Sequence, residues 1–181
     1  MTFNNIYNIS DIVSIFTFIS IIIGGIFTLY QYNQSIKLKR ADYINDLTNT
    51  IRSDLDISDS LYLIEYGEKW YSQYFHGSGE LERKMDKTLS YFSYICYLKK
   101  QKIISKNEFY FFKYEIDRIL MNNQIIDYLY NLYHFSKKFS DPMTFQYLFE
   151  YGEENCFFNK DFYNKESYIK ASNIYHKYIN T

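Results

Sequence analysis

Residues 12–32, IVSIFTFISIIIGGIFTLYQY, form an apolar stretch of 21 residues that contains no charged side chain. A helix needs roughly 20 mostly apolar residues to cross the ~30 Å hydrocarbon core of a bilayer. No other stretch of the chain meets that length. We therefore predict a transmembrane helix at 12–32, preceded by a short extracytoplasmic N-terminus at 1–11.

Two alternative interpretations of this stretch are weaker. A secretory signal peptide starts with positive charge and ends at a small-residue cleavage site. This chain has no Lys or Arg before Lys37, and the bulky Phe27 and Tyr30 follow its two glycines. A core helix of a soluble protein has a polar face, whereas apolar residues surround this one. A retained membrane anchor is the better prediction.

The flanking charges predict how this helix is oriented. Lys37, Lys39 and Arg40 follow the apolar stretch closely, and no basic residue precedes it. The more basic flank of a single span stays in the cytoplasm. We therefore expect the plasma (inner) membrane as the location, with the N-terminus outside and the C-terminal domain cytoplasmic.

Small residues in the middle of the stretch are candidates for helix packing. Ser20 and Gly24 have the small-xxx-small spacing that lets two membrane helices approach closely. The alternative is that glycine is simply frequent in spanning helices. This spacing is the basis for expecting a homo-oligomer formed through the spanning helix and the segment that follows it.

The chain after the apolar stretch is balanced in charge, and its sequence pattern predicts helices. Residues 36–181 carry 20 basic and 20 acidic side chains, without the basic excess typical of nucleic-acid binders. Nucleic acid is therefore not an expected partner.

Cys96 and Cys156 form no metal or redox motif, and the apolar neighbours of Cys96 predict a core position. No stretch alternates with the period of two that strands require.

Helical periodicity predicts an all-α fold in which the spanning helix continues as a stalk over 33–57. Residues 58–181 then form a cytoplasmic bundle of about five to six helices, separated by turn and capping signals. The main start signals are Ser58-Asp59-Ser60, the Ser105–Glu108 capping box and Asp141-Pro142. The expected spans are 60–75, 80–100, 106–121, 124–139, 142–153 and 159–178.

The segment 54–65 offers a weak candidate for a calcium loop. Asp54, Asp56 and Ser58 stand at its first, third and fifth positions and Glu65 at its twelfth, which are ligand positions of such a loop. Asp59 occupies the sixth position, where the loop requires glycine. The alternative is a turn whose acidic residues favour the N-terminus of the following helix.

Other catalytic patterns are missing from the sequence, so neither a catalytic residue nor a cofactor is predicted. There is no phosphate-binding glycine loop, no nucleophile elbow and no HExxH. The four arginines are not followed by His after four to six residues. That spacing is the motif of the HEPN ribonucleases, which small membrane-anchored helical domains sometimes resemble, so RNase activity of that kind is not expected. A pocket lined by Trp70, Tyr71, His76 and Tyr94 is conceivable, although core positions are more common for such residues.

One short sequence occurs twice. Leu63-Ile64-Glu65-Tyr66-Gly67-Glu68 is similar to Leu148-Phe149-Glu150-Tyr151-Gly152-Glu153, but the similarity does not extend into the flanks. In a chain with 22 Tyr and 16 Phe, a chance identity explains this better than a duplication.

In architecture and composition the chain resembles bacterial single-pass, membrane-anchored all-helical proteins that carry domains of unknown function. The resemblance implies interaction or assembly at the membrane, with the bilayer and a cytoplasmic protein as partners. One alternative is an oligomeric membrane effector of the antiphage or abortive-infection type, which senses a partner or ligand and perturbs the membrane. The third interpretation is an enzyme with an unrecognised helical active site.

Overall fold

The computed structural model describes residues 9–67, 69–71, 75–76 and 79–164. Within these residues the protein is all-α, and the predicted fold class, a long apolar N-terminal helix followed by packed helices, is confirmed. The six α-helices are α1 (Ile9–Ser53), α2 (Leu55–Glu65), α3 (Glu80–Lys100), α4 (Lys106–Met121), α5 (Asn123–Phe139) and α6 (Gln146–Glu154). A short 3₁₀ helix, Lys160–Tyr163, follows them.

Helix α1 is continuous over 45 residues. At 1.5 Å per residue it is about 68 Å long, more than twice the thickness of a hydrocarbon core. It ends at Ser53, inside the range predicted for the stalk. The chain divides into two compact units, residues 1–47 and 48–181.

The start of α2 differs from the prediction. We expected the start signal at Ser58-Asp59-Ser60, but Asp54 caps the helix and its carboxylate accepts the backbone N–H groups of Asp56 and Ile57. Aspartate is among the strongest N-cap residues, and Asp56 adds a favourable negative charge to the first turn. Ser58 and Ser60 therefore lie inside α2.

The end of α2 also differs from the prediction. A helix continuing to Phe75 was expected, yet α2 ends at Glu65 because the chain turns at Gly67, whose φ is +66°. This left-handed conformation is the usual way in which a glycine terminates a helix.

The start of α4 agrees with the capping signal in its sequence. Ser105 and Glu108 form the predicted reciprocal capping box. The bounds of α3 and α4 agree with the expected spans 80–100 and 106–121. Helix α5 begins one residue before its expected span, because Asn122 caps it by accepting the N–H groups of Gln124 and Ile125.

The start predicted at Asp141-Pro142 is wrong, since α6 begins at Gln146 after Phe145, whose φ is +56°. Phe145 is 8% exposed, and burying its ring outweighs the local preference of Pro142 for a first helical position. Of the helix expected at 159–178, the structure has Lys160–Tyr163 as a 3₁₀ helix. Residues beyond 164 lie outside the described part.

The core of residues 48–181 is built around α3. This helix packs against α2, α4 and α6, and α4 packs against α5. The apolar residues that recur with helical spacing along α3 and α4 are buried apart from Leu81, which is half-buried, in agreement with the periodicity used to predict these helices. Their fully enclosed members are Met85, Leu89, Phe92, Ile95, Phe112, Ile116 and Leu120.

Candidate functional site

The first candidate site is the apolar part of α1. Among the described residues, α1 is the one helix that is long and apolar enough to cross a membrane, and none of its apolar window is buried. Ile21 is 67% exposed, Phe16 67% and Leu29 65%. Soluble monomers rarely expose a contiguous apolar surface of this length. The surface therefore needs an apolar environment or partner.

This part of α1 has two unlike faces. At about 100° per residue, a set of small and hydroxyl residues lies within about 40° of one line along the helix. We call this set the small-residue seam; it consists of Ser10, Ser14, Thr17, Gly24, Thr28 and Ser35. Ile21 and Tyr32 interrupt the seam, and bulky residues such as Ile19 and Ile26 lie on the opposite face.

Three of the hydroxyls of the seam, those within the apolar stretch, donate hydrogen bonds within α1 itself. Ser14 donates to the carbonyl of Ser10 at 2.8 Å, Thr17 to that of Val13 at 2.9 Å and Thr28 to that of Gly24 at 2.8 Å. An unpaired hydroxyl in hydrocarbon would cost several kcal/mol, so these bonds make the seam compatible with lipid.

The two residues predicted for helix packing differ in position. Gly24 belongs to the seam, and a Cβ added there would have no neighbour within 4 Å. Ser20 lies about 80° from the centre line of the seam, at its edge, and donates to the carbonyl of Phe16. The basic residues used to predict orientation, Lys37, Lys39 and Arg40, are exposed on α1 beyond the apolar part.

The four calcium-loop candidates do not converge. Lys87 Nζ lies 2.7 Å from Asp54 and 2.9 Å from Asp56, so a lysine bridges these two carboxylates. Ser58 lies within α2, and Glu65, at its far end, accepts a hydrogen bond from Arg118 at 2.6 Å. Across the described residues, no group of three His, Cys, Asp or Glu side chains is arranged to hold a metal ion. The segment 54–65 is an N-cap and a helix, which corrects the loop that this candidate required.

A second candidate site is a buried polar network around His76, which sequence patterns did not reveal. Asn131 Nδ2 donates to Tyr71 Oη at 2.9 Å, and Tyr71 Oη lies 2.9 Å from His76 Nε2. His76 Nδ1 lies 3.3 Å from Glu82 Oε1. The network links the segment after α2 to α3, through Glu82, and to α5, through Asn131.

The order of donors in this network fits a neutral imidazole. Because Asn131 donates to Tyr71, the Tyr71 hydroxyl can donate to Nε2 of His76, which leaves the proton on Nδ1 facing Glu82. Burial lowers the pKa of His76 below its ordinary value, although Glu82 acts in the opposite direction.

A carboxylate, an imidazole and a phenol that are linked by hydrogen bonds could relay a proton. In this network, however, the phenol is buried. Tyr71 is 2% exposed, and Phe75 and Tyr128 pack edge-on or tilted against its ring. These rings shield the Tyr71 side chain from a substrate, while His76 is half-buried. The network therefore holds Tyr71 and His76 in place, and Trp70 packs against the Tyr71 ring. Tyr94, the fourth residue of the predicted pocket, stacks on Tyr97.

Burial also shifts the pKa values of other ionisable groups in this domain. Burial raises the pKa of Asp86, while a hydrogen bond from Tyr128 at 2.6 Å acts against that rise. Burial also raises the pKa of the Asp127 carboxyl. Cys96 is 3% exposed, as predicted for a core residue, and burial raises its pKa to about 12, which disfavours a thiolate nucleophile.

Comparison with known proteins identifies no relative: no family model, curated protein or solved structure matches this chain.

Proposed function

We propose that this protein is a single-pass membrane protein whose C-terminal helical domain mediates interaction or assembly at the cytoplasmic face. One observation carries the proposal: the entire apolar window of α1 is unburied. If α1 were a core helix of a soluble protein, other elements would cover that window. Bilayer lipid is the environment that would make its exposure favourable.

The continuity of α1 supports an anchor over a cleaved signal sequence. The helix runs from Ile9 to Ser53, far beyond the apolar window, so a cleavage site inside it would cut regular helix. The basic cluster Lys37, Lys39 and Arg40 supports the orientation with the N-terminus outside.

A topology experiment tests this proposal. Full-length protein carrying a reporter active only outside the cytoplasm is made with the reporter at either end, and membranes are extracted with alkaline carbonate. We expect the protein to stay in the membrane pellet, with reporter activity at the N-terminus only. Replacing Lys37, Lys39 and Arg40 by Gln should reduce that asymmetry, whereas the matched replacement of Lys137 and Lys138 should not. Release by carbonate would overturn the anchor, and equal reporter activity at both ends would overturn the orientation.

The small-residue seam favours a second candidate function, an oligomeric membrane effector. A seam of glycine and hydroxyl residues lets two spanning helices approach closely, while the bulky opposite face remains in lipid. Self-association through α1 would bring several C-terminal domains together. An effector that perturbs membranes requires such an assembly, because a single helix without intramembrane charge encloses no pore.

A pair of variants tests the seam. Gly24→Ile together with Thr28→Ile adds bulk to the seam, and Ile19→Phe together with Ile26→Phe adds bulk to the opposite face. We expect cross-linked oligomers in membranes to be lost in the first variant and kept in the second. A native protein that is strictly monomeric at high concentration in detergent, or equal loss in both variants, would eliminate this candidate.

A further inference from the structure

A cleft of about 570 Å³ opens beside the C-terminal end of α3, the first turns of α4 and the end of α6. Ligand pockets commonly have volumes of this order. Two kinds of side chain dominate its walls, ammonium groups and aromatic rings. They belong to Lys99, Lys106, Lys113, Phe109, Tyr110 and Tyr151.

Two of these lysines carry positive charge without a carboxylate partner. The Lys99 ammonium lies over two rings, 4.5 Å from the centroid of Phe109 and 4.4 Å from that of Tyr151. In the part of the chain that the structure describes, no carboxylate lies within 4.0 Å of Lys99 or Lys106. Lys113 differs, because it forms an ion pair with Asp117.

The charge balance of the whole domain conceals this local excess. Residues 99–106, KKQKIISK, contain four lysines and no acid. The nearest following acid, Glu108, is engaged by the Ser105 backbone N–H at 2.6 Å in the capping box. Lys106 stands in the first turn of α4, where the helix dipole disfavours positive charge, so its position has no local stabilising reason.

We propose that this cleft binds a nucleotide. Lysine ammoniums are common binders of phosphate, and Lys99 and Lys106 would provide them. The Tyr110 ring is 75% exposed at the rim, where a planar base can stack on it. A phospholipid headgroup also carries phosphate but has no ring to stack, so the aromatic wall favours a nucleotide. This inference is independent of the proposed membrane anchor.

Calorimetry on the full-length protein in neutral phosphatidylcholine nanodiscs tests the proposal, with ATP as the probe. We expect saturable binding of one ATP per chain. Lys106→Gln should weaken binding at least fivefold, since it removes a phosphate contact. Lys102→Gln is the matched control, because Lys102 belongs to the same basic run but does not line the cleft; it should change the affinity less than twofold.

A second comparison separates the contribution of base stacking on Tyr110 from that of phosphate binding by the lysines. Tripolyphosphate should bind at least fivefold more weakly than ATP, and Tyr110→Leu should weaken ATP binding without altering tripolyphosphate binding. Fluorescence of Trp70, the single tryptophan, checks that each variant is folded. Because Lys106 is exposed and opposed by the dipole, its replacement should leave the melting temperature unchanged or raise it.

Several results would overturn the proposal. One is the absence of saturable binding at about 5 mM ATP, where any millimolar affinity would be detected. Another is an equal loss in Lys102→Gln and Lys106→Gln, which would indicate diffuse attraction. A third is Lys106-dependent binding to phosphatidylglycerol vesicles without ATP binding, which would assign the cleft to a lipid headgroup.

Discussion

The tripeptide Glu-Tyr-Gly occurs at 65–67 and at 150–152, and the two copies have different structures. At the first, α2 ends, Tyr66 is 72% exposed, and Gly67 adopts a left-handed conformation with φ +66°. At the second, the chain continues as helix α6, Tyr151 is 4% exposed, and Gly152 is buried.

The difference shows two separate reasons for a glycine. A Cβ on Gly67 would meet nothing within 4 Å, so the backbone conformation is what requires glycine there. A Cβ on Gly152 would lie 2.6 Å from Phe158 Cε2, so the absence of a side chain is what matters at that position. The same tripeptide therefore ends a helix at one site and continues a helix at the other, because the surrounding residues differ.

The largest expected effect is at Gly152. Gly152→Ala should lower the free energy of unfolding by about 2 kcal/mol, because overpacking a core typically costs 1–3 kcal/mol. Phe158 cannot move aside easily, since it is 8% exposed and stacks on Phe149 and Phe162. Thermal unfolding of the full-length protein in detergent, followed by Trp70 fluorescence, measures the loss. Equal melting temperatures for Gly152→Ala and the native protein would contradict the prediction.

At Gly67 the expected cost comes from the backbone. Gly67→Ala should lower stability by about 1 kcal/mol, the cost of a left-handed conformation for a residue with a Cβ. Gly67→Asn should cost less than Gly67→Ala, because asparagine tolerates this conformation. The order should reverse at position 152, where asparagine is larger than alanine. The same unfolding assay measures these differences. If Gly67→Asn were no more stable than Gly67→Ala, the comparison would be wrong.

The two tyrosines should also respond unequally. Tyr151 Oη donates to Asp117 Oδ1 at 3.1 Å, so Tyr151→Phe should cost about 1 kcal/mol, typical of a lost hydrogen bond. Tyr66→Phe should stay within about 0.5 kcal/mol, as expected for an exposed site. Both are measured as shifts in melting temperature at one pH. A larger loss for Tyr66→Phe would argue that this ring is covered in the native assembly.

The smallest effect concerns Glu150. Burial tends to raise its pKa, but Lys100, at 2.7 Å, and Gln146 outweigh burial and hold the pKa below its ordinary value. A carboxyl with a lowered folded pKa contributes stability above its unfolded value and loses it as pH falls through the folded value. Glu150→Gln should therefore cost less than about 0.5 kcal/mol at pH 7, as for exposed ion pairs. Melting curves from pH 7 downward should converge with those of the native protein in acid; a difference that grows on acidification would contradict the assignment.

Much of the fold was predictable because its signals are local. The stripe containing Met85 and Phe92 predicts α3, and the Ser105–Glu108 box predicts the start of α4. Prediction failed where several local signals competed. Asp54 and Ser58 both favour a helix start, and burial of Phe145 overrode the signal of Pro142.

The candidate sites were predictable to different degrees. The long apolar segment could be predicted because hydrophobicity over 20 residues is a property of the sequence alone. The network of Tyr71, His76 and Asn131 joins residues up to 60 positions apart, and no spacing rule connects them. The cleft likewise combines Lys99 with Tyr151, which belong to helices separated by two others.

By itself, the sequence determined that the chain is helical and that one segment is long and apolar enough to cross a membrane, because periodicity and hydrophobicity accumulate along neighbouring residues. Tertiary structure alone decided that Gly67 ends a helix while Gly152 continues one. It also decided that His76 meets Tyr71 and that the Lys99 ammonium lies over two rings. Each of these outcomes depends on which distant side chains fill the surrounding space, and local patterns carry no information about that.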